Sequence, residues 1–176
     1  GVLELHGDFA EHSAMLLLCG VGKVVSVRQL SHLTDDLDAL VLPGGESTVM
    51  GKLLCDLGMM DRVRSLAGAG LPMFGTCAGC ILLAEDLPHY PDQPRIGVMN
   101  ISVDRNAYGS QIDSFETLVQ PTANNRTFAD KKPLRVVHIR APALAKVGEG
   151  VHVLAEHGGR PILVRQGHLL ACTFHP

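Results

Sequence analysis

The sequence lacks an excess of charge of either sign. Fifteen Lys and Arg stand against 18 Asp and Glu in 176 residues, a net charge of −3, with a pI near 6.3. Such a balance offers no electrostatic footprint for nucleic acid or an anionic membrane, so neither is expected as a partner. No apolar run approaches the ~18–20 residues that a membrane span requires. The opening "GVLELHGDF" has no basic segment followed by an apolar one, the layout of a secretory signal. A second closely spaced cysteine pair is also missing: Cys77 and Cys80 stand together, but Cys19, Cys55 and Cys172 are isolated. A four-ligand zinc site therefore has no second half, and no metal is expected. An odd number of scattered cysteines, mostly inside apolar segments, points to reduced thiols in a cytoplasmic protein. Repeats, low-complexity tracts and linkers are absent, so one domain over residues 1–176 is expected. A Gly-Lys phosphate cradle is absent too, which leaves no motif for a nucleotide or other cofactor.

What is present is a large apolar fraction, 46% against 19% charged, enough for a substantial core. In the first half, apolar β-type runs alternate with helix-type segments. "GVLEL" (1–5), "KVVSVR" (23–28), "DALVLPGG" (38–45) and "LPMFGT" (71–76) read as strands. "FAEHSAMLLLCG" (9–20), the segment 47–70 interrupted near Gly58, and "AGCILLAEDL" (78–87) read as helices. This alternation implies parallel pairing with right-handed crossovers and both sheet faces covered. The second half reads as strands at 96–105, 114–122, 134–142 and 150–157, then a hairpin over 161–175 turning at Gln166-Gly167. The fold class is α/β, with a mostly parallel central sheet and an antiparallel C-terminal portion.

Three short segments carry chemistry. "GTCAGC" (75–80) has two readings: a C-x-x-C dithiol, or a G-x-C-x-G turn lifting Cys77 between a strand and a helix. In the second, the helix N-terminus favours a Cys77 thiolate, and the Ala78 N–H points towards a developing oxyanion. Alone, the pattern also fits a buried structural cysteine. "LPGGES" (42–47) follows another buried strand, so both loops leave a parallel sheet at its carboxyl edge, where ligands bind. Gly44 and Gly45 can expose N–H groups to complete an oxyanion hole; the plain alternative is a helix entry capped by Ser47, with Glu46 exposed. His175 closes the strand "LLACTF" and can reach a thiol on the same edge as its base, although a histidine at such a place is commonly a surface residue.

In that order, "LPGGEST", "FGTCAG" and "FHP" resemble the class I (triad) glutamine amidotransferases. With "GVLELHGDF", "RNAYGSQIDSFE", "IRAP" and "VRQGHLLACTFHP", the likeness extends from end to end to the glutaminase subunits of pyridoxal 5′-phosphate synthase. The resemblance implies a three-layer, flavodoxin-like fold and hydrolysis of L-glutamine to glutamate and ammonia. It implies Cys77 as nucleophile through a glutamyl thioester and His175 as base and then acid. Glutamine binding would fall to Gly45, Glu46, Ser47, Arg105, Ile139 and Arg140, with Gly44, Gly45 and Ala78 around the oxyanion. An arginine suits a free amino acid, because its planar fork pairs a carboxylate bidentately.

The resemblance further implies a glutamate directly after Pro176 as third triad member, a following C-terminal helix and a slightly earlier start to the first strand. The chain departs from the family at His6, where glutamine is usual, and at Cys80, where an aliphatic residue is usual. The implied partner is a (β/α)8-barrel synthase subunit that receives the ammonia, and an oxyanion loop that forms incompletely until that subunit docks. Other readings are the glutaminase of another triad amidotransferase, such as imidazole glycerol phosphate synthase, a catalytically silent assembly module, and a redox protein using Cys77 and Cys80.

Overall fold

The structure is a computed structural model that describes residues 1–105, 115–122, 132–138 and 141–175. Its strands are β1 (Val2–Leu3), β2 (Ser26–Val27), β3 (Leu40–Leu42), β4 (Met73–Thr76), β5 (Ala84–Asp86), β6 (Met99–Asp104), β7 (Phe115–Val119), β8 (Leu134–His138), β9 (Ala143–Val147), β10 (His152–His157), β11 (Arg160–Gln166) and β12 (Leu169–Cys172). Its helices are α1 (Phe9–Leu18), α2 (Ser47–Asp56), α3 (Met60–Gly68) and α4 (Ala78–Leu83).

Seven strands form the main sheet in the order β10-β11-β12-β4-β3-β1-β2. The block β12-β4-β3-β1-β2 is parallel throughout, whereas β10, β11 and β12 pair antiparallel. The α/β expectation with an antiparallel C-terminal portion is thus met. Leu3, Leu40, Leu42 and Met73 are at most 2% exposed. Burial on both faces explains why these strands read as unbroken apolar runs and not as alternating ones. Each such leucine contributes about 1.5–3 kcal/mol on burial.

Register fixes where the site can be. Leu42 pairs with Gly75, Thr76 with Cys172, and Val2 with Val41. The carboxyl ends of β1, β3, β4 and β12 therefore lie side by side, and the segments that follow them emerge at one edge. The helical segment 47–70 breaks where expected: Gly58 has φ +65° between α2 and α3, a conformation that glycine adopts without a Cβ penalty. Among the described residues, no helix is long and apolar enough to cross a membrane.

Two expectations are corrected. The helix expected over 78–87 ends at Leu83, and Ala84–Asp86 instead runs parallel to β6. The carbonyls of Leu82 and Leu83 accept from Ile96, Gly97 and Val98, so pairing across the chain overrides the local helix preference of "AED". β9 was not expected: "ALAKV" carries little β-branched signal, yet it completes the three-stranded sheet β5-β6-β9 against β6. The strand expected over 134–142 is observed to His138; Ile139 and Arg140 lie outside the described residues, as do 106–114 of "RNAYGSQIDSFE".

Candidate active site

Cys77 closes β4 and opens α4 with φ +47° and ψ −100°. It is the one non-glycine residue at positive φ among the described residues. Such a backbone costs on the order of 1–3 kcal/mol and persists only where its surroundings hold it. Here they do: the Cys77 N–H donates to the Cys172 carbonyl at 2.9 Å, and the Cys77 carbonyl accepts from Ile81 at 3.2 Å. The flanking glycines are required by packing. A Cβ on Gly79 would lie 2.0 Å from the Leu42 carbonyl oxygen, and one on Gly75 would lie 2.6 Å from the Gly79 carbonyl. G-x-C-x-G is thus the pattern of a turn pressed against its own helix and the neighbouring strand.

Cys80, one helical turn on, is fully buried. Burial, and then the nearby Cys77, push its thiol well above the ordinary range. A thiolate at Cys80 is disfavoured, so the C-x-x-C reading loses its second reactive sulfur.

His175 sits three residues beyond β12. Its backbone is fixed by a bridge to Val137, donating to the Val137 carbonyl at 2.9 Å and accepting from the Val137 N–H. Its Nδ1 lies 2.7 Å from Asp8 Oδ2. The hydrogen bond to Asp8 first, and then that to Cys77, hold the imidazole up at about 10 against the opposing effect of burial. Burial would raise the Asp8 carboxyl, but the His175 hydrogen bond and the nearby His12 and His175 charges outweigh it, and the carboxyl lies below its usual range. Asp8 was not among the expected site residues. It follows Gly7, whose φ of +92° and contact with the Gly44 carbonyl (1.7 Å from a would-be Cβ) bring the β1–α1 segment against "PGGES". The signal lay in "HGD", a glycine-aspartate pair after a carboxyl-edge strand. Behind Asp8, its backbone carbonyl meets His12 Nδ1 at 2.8 Å, and His12 Nε2 meets the buried Thr76 hydroxyl at 3.0 Å.

The "PGGES" segment crosses this group. A Cβ on Gly44 would come within 2.3 Å of His175 Cε1, and Gly45 has φ +149°, so both positions need glycine. His6 Nδ1 accepts from the Glu46 N–H at 3.2 Å, which defines the contact made by the residue standing where the family usually has glutamine. Glu46, not Ser47, is the N-cap of α2: its carboxylate accepts from the Thr48 and Val49 N–H groups. Burial works against the Glu46 charge, but these bonds and Arg105 lower its pKa. Ser47 is 2% exposed, and its hydroxyl is engaged by Gln93 Nε2 at 3.0 Å. Arg105 donates to the Gln93 side-chain oxygen and, at 3.3 Å, to Glu46 Oε1. Its guanidinium lies over the Tyr90 ring at 4.4 Å.

The structure thus brings Cys77, His175, Gly44, Gly45 and Ala78 to one edge, with Glu46, Ser47 and Arg105 linked beside them. Ile139 and Arg140 lie outside the described residues. Chemically, the arrangement places a thiol on a strained backbone at the same edge as a histidine held by a carboxylate, the set of groups that nucleophilic acyl transfer needs. Among the described residues, no group of three or more His, Cys, Asp or Glu side chains is arranged to hold a metal ion.

Known proteins resemble this chain throughout. The model of the SNO glutamine amidotransferase family matches residues 2–176. A protein of Pelotomaculum thermopropionicum named pyridoxal 5′-phosphate synthase subunit PdxT is 47% identical over 177 residues, covering 100% of this chain and 86% of that one. One of the same name from Thermus thermophilus is 46% identical, covering 100% and 88%. A crystal structure described as a glutamine amidotransferase superposes with a TM-score of 0.90 at 46% identity, covering 100% of this chain and 89% of that one. A glutamine amidotransferase from Thermotoga maritima, at 16% identity and TM-score 0.62 over 99% of this chain and 74% of that one, shares the fold.

Proposed function

The chain belongs to the SNO glutamine amidotransferase family, and from that premise we propose that it is the glutaminase subunit of a pyridoxal 5′-phosphate synthase, a single glutamine amidotransferase domain acting in the cytoplasm. The observation that carries this reading is the positive-φ Cys77 set between two obligatory glycines, at the same sheet edge as a His175 held by Asp8.

His175 takes the Cys77 thiol proton as Sγ attacks the side-chain amide carbon of L-glutamine, and the carbonyl electrons move onto oxygen. The backbone N–H of Ala78 and those of the Gly44-Gly45 segment stabilise that oxyanion. The carbon–nitrogen bond then breaks. His175 gives its proton to the departing nitrogen, and ammonia leaves a glutamyl thioester on Cys77. Water, deprotonated by His175, cleaves the thioester to glutamate and restores the thiol. Asp8, on Nδ1, keeps the other ring nitrogen directed at the sulfur. Glu46, Ser47 and Arg105 receive the amino acid end of the substrate, with Ile139 and Arg140 completing that site. The ammonia passes to a (β/α)8-barrel synthase subunit, whose docking completes the "PGGES" oxyanion loop.

The test measures glutamate release by the full-length protein, with and without the synthase subunit, for wild type, Cys77→Ala and Cys80→Ala. Partner-stimulated release, abolished in Cys77→Ala and near normal in Cys80→Ala, is expected. No release under any condition overturns the proposal, and loss in Cys80→Ala restores the dithiol reading.

A further inference from the structure

We infer that Gln93 is a positioning residue of the substrate site: its buried carboxamide clamps Ser47 to Arg105 and aims both at the amino acid end of the ligand. The inference rests on the glutamine-site reading of Ser47 and Arg105 proposed above.

Gln93 is 8% exposed, and both ends of its amide are used. A guanidinium can only donate, so the oxygen must face Arg105 and the NH2 must face Ser47. The contacts agree: Arg105 Nη1 donates to Oε1, and Nε2 donates to the Ser47 hydroxyl at 3.0 Å. Because Ser47 Oγ accepts from Gln93, its own proton is left to be donated elsewhere. Because the clamp is neutral, it orients Arg105 without adding a second carboxylate to the one Glu46 places at 3.3 Å. A serine proton and a guanidinium held side by side make a receptor for a carboxylate.

The loop that carries Gln93 is itself fastened. Arg95 donates to the carbonyls of Glu85, Pro91 and Gln93, with distances from 2.8 to 3.2 Å. Arg64 donates to the carbonyls of Arg95 and Ile96 at 2.8 and 3.0 Å. Gly51, one turn after Ser47, lets α2 press on this loop: a Cβ there would lie 2.1 Å from the Pro94 carbonyl oxygen. The Gln93 N–H bonds the Tyr90 carbonyl at 3.1 Å, so the turn that presents Gln93 also presents the ring beneath Arg105.

The experiment compares wild type, Gln93→Met and Gln93→Glu in the full-length protein with its synthase partner, reading KM and kcat for glutamine. Gln93→Met keeps the volume and loses both links; KM is expected to rise about tenfold, with kcat within about twofold. Gln93→Glu keeps both links, since Ser47 can donate to it, but places a negative charge on Arg105; KM should again rise while the melting temperature does not fall. In an Arg105→Met, Ser47→Ala background, Gln93→Met should add no more than about a twofold change. Alkylation of Cys77 by iodoacetamide, which has no amino acid end, should proceed at the wild-type rate in both single variants, while protection by glutamine needs a higher concentration. An unchanged KM in Gln93→Glu overturns the inference, as does a full tenfold effect of Gln93→Met in the double background. If wild type itself releases no glutamate, the glutaminase reading has failed instead.

Discussion

At the scale of the residue, Cys77 and His175 hold conformations and charges that an isolated peptide would not. The positive φ of Cys77 is strain held for the sake of a side-chain direction. Cys77→Gly removes that strain and Cys77→Ala keeps it, so Cys77→Gly should be the more stable of two inactive variants by roughly 1–3 kcal/mol. Urea unfolding of the pair checks this, and equal midpoints would contradict the strained turn. Asp8 is the second residue-scale test. Asp8→Asn removes the carboxylate that is the main cause of the raised His175 pKa. The imidazole, pushed up to about 10 beside Asp8, should then titrate markedly lower than in the wild type, and NMR titration of both proteins checks this. Glutamate release should fall by about one to two orders of magnitude, within what general acid–base catalysis supplies. If the titration of His175 does not move, another group holds its ring.

At the scale of the element, the site depends on close backbone approaches. β3, β4 and α4 meet where Gly79 touches the Leu42 carbonyl. Gly79→Ala forces a methyl into a space 2.0 Å from the Leu42 carbonyl oxygen, and β3 cannot shift away from α4 without disturbing its register with β4. A loss of about 3 kcal/mol or more is expected, in the tail of single-substitution effects. Thermal unfolding checks it; a melting temperature within about 1 °C of wild type would contradict the packing. Gly75 and Gly79 are legible as a motif, but the reason for Gly79 is not: the oxygen that excludes a side chain there belongs to a strand some 37 positions away, whereas Gly75 is pressed by the nearby Gly79 carbonyl. β5 shows the converse. "AED" taken alone prefers a helix, and only the pairing with β6 decides otherwise.

At the scale of the whole molecule, two histidines bracket the pH range of greatest stability. His175 is raised from 6.5 to about 10, so the folded state binds its proton more tightly than the unfolded chain. Its contribution is complete below about pH 6.5 and is lost as pH rises towards 10. His138 is almost fully buried beside Phe174; burial first, and then the nearby His157 and His175, lower it to about 4. Here the unfolded state binds the proton more tightly, so stability falls as pH drops from about 6.5 towards 4. Denaturation midpoints across pH 4–10 should therefore peak near neutrality. His175→Asn should flatten the alkaline limb and His138→Phe the acid limb. A profile unchanged in both variants would falsify this assignment.

The sequence by itself determined the alternation of buried strands and helices and the carboxyl-edge loops that carry Cys77 and "PGGES", and it singled out Cys77 and His175 as the candidate pair. Those features are local or nearly so: apolar runs, glycine spacing and a strand-end histidine each report on a few neighbouring bonds. Only the tertiary structure decided which groups surround them. Asp8 and His175 are 167 positions apart, Gln93 and Ser47 are 46 apart, and no local preference encodes either meeting. Sheet order, set by burying all the strands together, brought four strand ends to one edge and turned an aspartate and a glutamine with no motif of their own into parts of the site. The pair "GTCAGC" ended divided for the same reason: Cys80 is fully buried as a packing residue, and Cys77 sits on the strained strand-to-helix turn.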